Sequence, residues 1–442
     1  MNLSDFSLEN KVALITGGTS GVGKMMFVIG NIYMNTNTVL TQNAHTLPFW
    51  RRPIALLALM VFGMHMGFAT WMALLNNFVH ERANFDGSDL GWLQSIREIP
   101  GFFAVAVIVV LWVMREQILA IVSLIMLGAA VAVTAWFPTF GGLLITTFIS
   151  SLGFHYYETV KQSLELQWIP KDRAPQTLGW LLAVGSAGSL IAYGGVAIAW
   201  KYFGWDYNKL YLISGSITIL IAMFCYFAYP RFQGPTIQNS TLILRKRYWL
   251  FYLLQFMAGA RRQIFIVFAA FMMVERFGFQ VHEVTVLFLI NYIANMLFGP
   301  IIGRIVQKFG ERNALIFEYF GLIIIFAAYG GVYVFGWSVA LAATLYVLDH
   351  LFFGLSIAQK TYFQKIADPA DIASTAAVAF TINHIGAVVL PALLGYIWLY
   401  SPAFVFIVAS GIAAISLALS FCIPKKPSAT NETIFSKLRV KL

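Results

Sequence analysis

Charge is what this chain has least of. Asp, Glu, Lys and Arg together make up 11% of its 442 residues, where an ordinary soluble domain carries about 25%. A water-exposed fold needs more charge than that, so a soluble globular protein is excluded. Cysteine is almost absent as well: Cys225 and Cys422 are the only two, both in apolar runs. That excludes a disulfide framework and a thiolate metal site. A cleavable signal peptide is not expected, because "VALI" at 12 to 15 is too short for its apolar core and follows Asp5 and Glu9.

Hydrocarbon takes the place of charge. Hydrophobic residues are 59% of the chain, aromatics 16%, and the mean hydropathy is +0.75. Apolar runs of about 18 residues or more, the length needed to cross a bilayer as a helix, recur along it. Twelve spans are predicted, at about 54–79, 90–114, 117–136, 140–168, 176–200, 210–229, 248–274, 282–306, 313–335, 337–365, 372–398 and 402–423. The fold class is an all-α membrane protein. Its longest internal connection, "PRFQGPTIQNSTLILRKR", separates spans six and seven. The expected division is an N-terminal extension (1–50), a six-helix bundle (51–229), a cytoplasmic linker (230–247), a second six-helix bundle (248–424) and a basic tail (425–442), expected to be mobile near anionic lipid.

The net charge of +10 reflects topology rather than an acidic partner such as nucleic acid. Arg51, Arg52, Arg115, Lys171, Arg173, Arg231, Arg245, Lys246, Arg247, Lys308, Arg312, Lys365, Lys425 and Lys426 fall on one predicted side, against Arg82, Lys201, Lys209 and Arg276 on the other. Basic loops face the cytoplasm, which places both termini inside a cytoplasmic (inner) membrane.

The opening "KVALITGGTSGVGK" points elsewhere. Its Thr16, Gly17, Gly21 and Gly23 resemble the phosphate-binding start of the short-chain dehydrogenases, and Lys24 nearly completes a Walker A loop, with Met25 in place of the Ser or Thr that holds Mg²⁺. A dinucleotide site needs an acidic residue about 20 residues on, yet positions 25 to 50 hold none. The family's Tyr-x-x-x-Lys recurs at Tyr157 and Lys161, inside a hydrophobic span, with Leu144 where its catalytic Ser would stand. The stretch reads as a truncated remnant or a start upstream of the true one, Met34 being an alternative initiator. No cofactor is expected.

The two halves of the chain match each other weakly. "HERANF" at 80 parallels "VERFGF" at 274, spans four and ten each open on a His and end in a short loop with Pro and Asp, and spans five and eleven close on "AIAW" and "GYIW". Offsets near 195 residues suggest two parallel six-helix repeats. Between spans eight and nine, "GRIVQKFGERNAL" is similar to the cytoplasmic signature of the major facilitator superfamily: Gly303, Lys308, Gly310 and Arg312 match, while Gln307 replaces its Asp and Glu311 a basic residue. The resemblance implies two pseudo-symmetric bundles, alternating access, and a midplane cavity lined by spans one, four, seven and ten.

Ionisable residues inside a bilayer are costly and need partners or water. On span four, His155, Glu158, Lys161, Gln162 and Glu165 share an arc of about 120°. Span ten carries Asp349, Ser356, Gln359 and Lys360, with His350 to one side. Span two adds Gln94, Arg97 and Glu98; span one His65, Met72 and Asn76; span eight Asn291 and Asn295; and span eleven Asn383 and His384. Span seven holds Arg261 and Arg262 with no acid nearby in sequence. Adjacent guanidiniums suit a carboxylate or phosphate, since each offers a planar two-pronged fork.

The reading is a secondary transporter of a small anion, not an enzyme. Arg261, Arg262, Lys161, Lys360, Arg97, Asn291 and Asn295 are the candidate substrate ligands. Glu158, Glu98, Asp349, His155, His350 and His65 are candidates for coupling or counter-charge, with protons as a possible partner, and no metal site is expected. Arg97 with Glu98, and Lys161 with Glu158 or Glu165, also fit simple structural pairs. Two alternatives stay open: a proton-coupled exporter of cationic or amphipathic drugs, and a membrane-anchored NAD(P)-dependent oxidoreductase.

Overall fold

In hydrocarbon a backbone N–H or C=O finds no water, so an apolar run must satisfy both groups within itself, and a helix does so. Twelve helical stretches of membrane length follow in the computed structural model, which describes residues 38–436 except positions 86, 235, 237, 240 and 280. The opening motif at 11 to 24 and the alternative start at Met34 lie outside the described residues.

The helices are α1 (Pro53–Ala83), α2 (Gly87–Phe102), α3 (Glu116–Val133), α4 (Phe140–Trp168), α5 (Ala174–Phe203) and α6 (Tyr207–Ala228). The second set is α7 (Trp249–Gln263), α8 (Val281–Phe309), α9 (Glu311–Phe335), α10 (Val339–Gly354), α11 (Ile372–Tyr400) and α12 (Pro402–Phe421). Three spans that look uniform in sequence are broken. After Pro100, which lacks the donor a helix interior needs, α2 passes through a 3-10 turn at Phe103–Ala106 before a last helical turn, Val107–Val110. Directly after Arg261 and Arg262, α7 widens into a π-helical turn, Ile264–Ala269, and continues as Ala270–Phe277. Beyond Gly354, α10 resumes at Ile357–Ile366.

Among the described residues, ten helical spans are long and apolar enough to cross a membrane by length and composition. Helix α4 falls short because its polar stripe lowers its hydropathy. Helices α1 to α6 pack as one bundle, α1 against α5 and α6 and α3 against α4 and α6; in the other, α9 packs on α12 and α7 on α11. The main seam between the bundles is α5 against α8, with α2 and α4 meeting α11.

That seam depends on missing side chains. A Cβ on Gly179 would stand 2.3 Å from the carbonyl oxygen of Gly299, and one on Gly303 would stand 2.4 Å from that of Pro175. Backbone cannot yield as a side chain does, so the helices cross this closely only with glycine there. Gly179→Ala is expected to cost about 1–3 kcal/mol by overpacking, read as a lower unfolding midpoint in detergent.

Both ends of the described chain pack against the rest of the fold. Part of the N-terminal extension is built into the fold: β1 (Thr38–Leu40) pairs in parallel with β2 (Arg231–Gln233) of the linker. The tail, expected to be mobile, folds back on the second bundle as far as Ser436. Tyr362 Oη donates to the Glu432 carbonyl at 2.7 Å, the Ile434 N–H donates to the Cys422 carbonyl at 3.0 Å, and Thr433 is buried. The second bundle supplies partners for this backbone, which is why it folds back.

The linker is clamped to the start of α11 by Asp371, a fully buried carboxylate. Its Oδ1 accepts from Asn239 and from Arg245 Nη2, each at 2.9 Å, and its Oδ2 accepts from Tyr248 at 3.0 Å and from Arg245 Nε. Burial pushes the Asp371 carboxyl up, but the bonds from Arg245, Tyr248 and Asn239 outweigh it and hold the group below its ordinary value of 3.8. A depressed folded pKa gives stability that is full above the unfolded pKa and lost as pH falls through the folded one. Stability should therefore fall below about pH 4, and Asp371→Asn should be less stable at pH 7 with a flatter acid limb in a thermal unfolding series.

Candidate functional site

Residues three and four apart share a helix face, and α4 uses this to aim its polar stripe at the seam between bundles. Lys161 Nζ lies 2.6 and 2.7 Å from the two oxygens of Glu158 and 5.8 Å from the centre of the Tyr157 ring. One turn on, Glu165 crosses to the other bundle and accepts from Lys360 Nζ at 2.9 Å. One turn back, His155 is buried and lies ring to ring with His384 of α11, centroids 5.1 Å apart.

Helix α2 supplies Arg97 and Glu98, paired at 2.7 Å and each about a quarter exposed. Arg97 also approaches the Met72 sulfur at 3.8 Å, and its carbonyl accepts from Ser151 Oγ. Arg262 of α7 stands within electrostatic reach of Glu98, Glu158 and Arg97. Its Nε is buried without a hydrogen bond, and it forms no ion pair among the described residues.

Arg261 turns the other way, into the second bundle. Its Nη1 meets Glu318 Oε1 of α9 at 2.5 Å, with the two side chains 3% and 0% exposed. The guanidinium lies over the rings of Tyr319 and Phe353 at 5.5 and 5.3 Å. Asp349 is buried nearby with Oδ2 unbonded among the described residues. Asn295 Nδ2 and His350 Nε2 are 2.7 Å apart, Asn291 is buried, and His65 Nδ1 donates to the Val61 carbonyl at 2.9 Å.

Of the five interior bases singled out from sequence, Arg97, Lys161, Arg261 and Lys360 each hold an acid, and Arg262 holds none among the described residues. Sequence reasoning overlooked Glu318. The signal was present as a lone acid in the apolar "ALIFEYFGL", an arrangement that requires a buried partner.

The signature between α8 and α9 makes packing contacts as well as polar ones. Gly303 serves the α5–α8 crossing, and Gly310 adopts φ +80°, a left-handed conformation open mainly to glycine. Lys308 lies over the Phe309 ring at 5.5 Å and Arg312 over that of Phe421 at 6.0 Å. Gln307, in place of the family's Asp, donates to the Asp172 carbonyl at 2.8 Å, joining the bundles without charge. Gln364 adds bonds to the carbonyls of Leu166 and Ile169, both at 2.7 Å. Among the described residues, the hydrogen bonds and ion pairs between bundles run from the Tyr193–Tyr292 contact near mid-membrane toward the linker side, so that side is closed.

The family profile described as Major Facilitator Superfamily matches residues 54–391, spanning most of the chain. The chain belongs to the major facilitator superfamily. This member shares its fold with solved transporters at low identity. The human organic anion transporter TETRAN is 13% identical with a TM-score of 0.67, covering 85% of this chain and all (100%) of that one. The Escherichia coli fucose:proton symporter is 12% identical with a TM-score of 0.64, covering 83% and 97%. A proton:xylose symporter bound to a bromodeoxyglucose is 13% identical with a TM-score of 0.62, covering 88% and 97%. No curated protein matches it by sequence. The facilitator is an integral, multi-pass membrane transporter.

Proposed function

We propose that this facilitator carries a small organic or inorganic anion, bound between the bundles by Arg262, and that the bundles rock about that site. The observation that carries this is the half-buried Arg262 guanidinium, which holds no acid among the described residues and whose buried Nε has no hydrogen bond there: a charge drawn out of water without a partner is costly, and an anionic ligand at Arg262 removes that cost when it binds. Arg97 and Lys161 add positive field beside it, while Glu98 and Glu158 keep the unloaded site near neutrality.

On this reading the basic loops face the cytoplasm, which makes the linker side the inward one, and the seam closed on that side supports a carrier closed inward. Opening inward requires parting Lys360 from Glu165 and Gln364 from the carbonyls of Leu166 and Ile169. The Gly303, Lys308, Gly310 and Arg312 segment forms part of the same closure. Asp349, His155, His350 and His65 are the groups from which proton coupling would be drawn.

The test is flux of labelled carboxylates, phosphate and sulfate into proteoliposomes, with and without a pH gradient. Saturable anion flux lost in Arg262→Ala supports the reading. Flux of lipophilic cations that persists in that variant, with no anion flux, rejects it in favour of drug export.

A further inference from the structure

Glu98 of α2, His155 of α4 and His384 of α11 bring their ligand-capable atoms within 4.8 Å of one another. We propose that these three side chains bind a divalent first-row transition ion of the zinc, cobalt or nickel kind, and that the bound ion ties the two bundles together. This goes beyond anion transport and does not depend on it.

The hydrogen bonds of the two histidines fix which nitrogen is free. His155 Nδ1 lies 2.8 Å from the Ser151 carbonyl, and His384 Nδ1 lies 2.9 Å from the Phe380 carbonyl. A carbonyl oxygen only accepts, so each Nδ1 carries its hydrogen and each neutral ring keeps its lone pair on Nε2. A backbone carbonyl behind the imidazole is the support that metal-binding histidines ordinarily have. Both rings are at most 2% exposed.

Their free edges converge over Gly101. A Cβ there would stand 2.6 Å from His384 Nε2 and 2.7 Å from His155 Cδ2. The third donor is also available, since both bonds from Arg97 end on Glu98 Oε1 and leave Oε2 out of that pair. Two imidazole nitrogens and one carboxylate oxygen suit zinc and its neighbours and do not suit calcium or magnesium, which prefer all-oxygen shells. Metal–ligand bonds of about 2.0–2.2 Å require the widest separation to close by roughly 1 Å, within the reach of side-chain rotation.

Arg97 and Arg262 stand beside the site, so a bare dication meets positive field; an anion in the open fourth position relieves it. Sequence spacing gave no sign of this set because the donors come from three helices, 57 and 229 residues apart along the chain.

The experiment is titration of the purified full-length protein with ZnCl₂ by calorimetry, alongside His384→Gln, His155→Gln and Gly101→Ala. Expected is one ion per chain, with affinity lowered more than about tenfold in each histidine variant, the scale already reached when only an outer partner of a ligand is lost. Gly101→Ala keeps every donor and should weaken binding by crowding them. Equal affinity in wild type and His384→Gln, or no stoichiometric binding, overturns the proposal. Co²⁺ absorption of the wild type is an independent reading if a histidine variant does not fold: an intense four-coordinate spectrum supports the site, and the weak spectrum of the hydrated ion overturns it.

Discussion

Glu318→Ala is expected to destabilise the second bundle by about 3–5 kcal/mol, the cost of leaving one member of a buried ion pair without its partner. Arg261 is 3% exposed and cannot turn to water, since Tyr319 and Phe353 cover its guanidinium. Its Nε and Nη2, and Glu318 Oε2, already lack hydrogen bonds among the described residues. The pair is thus held by one close contact rather than by a network. Such a pair adds little over an apolar replacement, because desolvating both charges offsets most of their attraction. Arg261→Met combined with Glu318→Leu should recover most of what Glu318→Ala loses. Thermal unfolding of the two variants in one detergent measures the difference, and a double variant no better than the single one would show that the charges support more than each other.

Arg262→Ala should leave folding nearly intact and reduce anion flux by about 10- to 100-fold, since a hydrogen bond to a charged group contributes about 1.5–3 kcal/mol. The contrast with its neighbour comes from the partners: Arg261 holds Glu318, whereas Arg262 holds no acid among the described residues. Arg262→Lys should fall between, because an ammonium keeps the charge and loses the planar fork. The readout is initial flux at saturating and at low anion, with the unfolding midpoint of each variant measured beside it. Flux unchanged in Arg262→Ala would assign the arginine to packing and remove the basis for an anionic substrate.

Spans, and the polar face of α4, were legible because each depends on residues close in sequence. A helix repeats every 3.6 residues, so His155, Glu158, Lys161 and Glu165 declare a common face without any structure. The pairing of charges was not legible in the same way. Glu158 with Lys161 is a local pair and could be anticipated, but Glu318 reaches Arg261 over 57 residues and Glu165 reaches Lys360 over 195. Which of two neighbouring arginines faces the seam also escapes the sequence, since consecutive residues point about 100° apart and the helix turns to a π form directly after them. The breaks in α2 and α10 follow the same pattern: Pro100 is visible in sequence, whereas the interruption at Leu355 and Ser356 has no proline to announce it.

The Glu165–Lys360 contact has a further property. Its 195-residue separation matches that of Ile169 and Gln364, which also touch, and it is close to the spacing between the internal repeats. Each of these residues therefore meets its own counterpart, which is possible only on the pseudo-twofold axis relating the two bundles. Two copies of either bundle, assembled in the same way, would set Glu against Glu or Lys against Lys at that point. The contact thus makes the two halves complementary rather than interchangeable. Separately produced halves should join as unlike pairs, and each half should reject a second copy of itself.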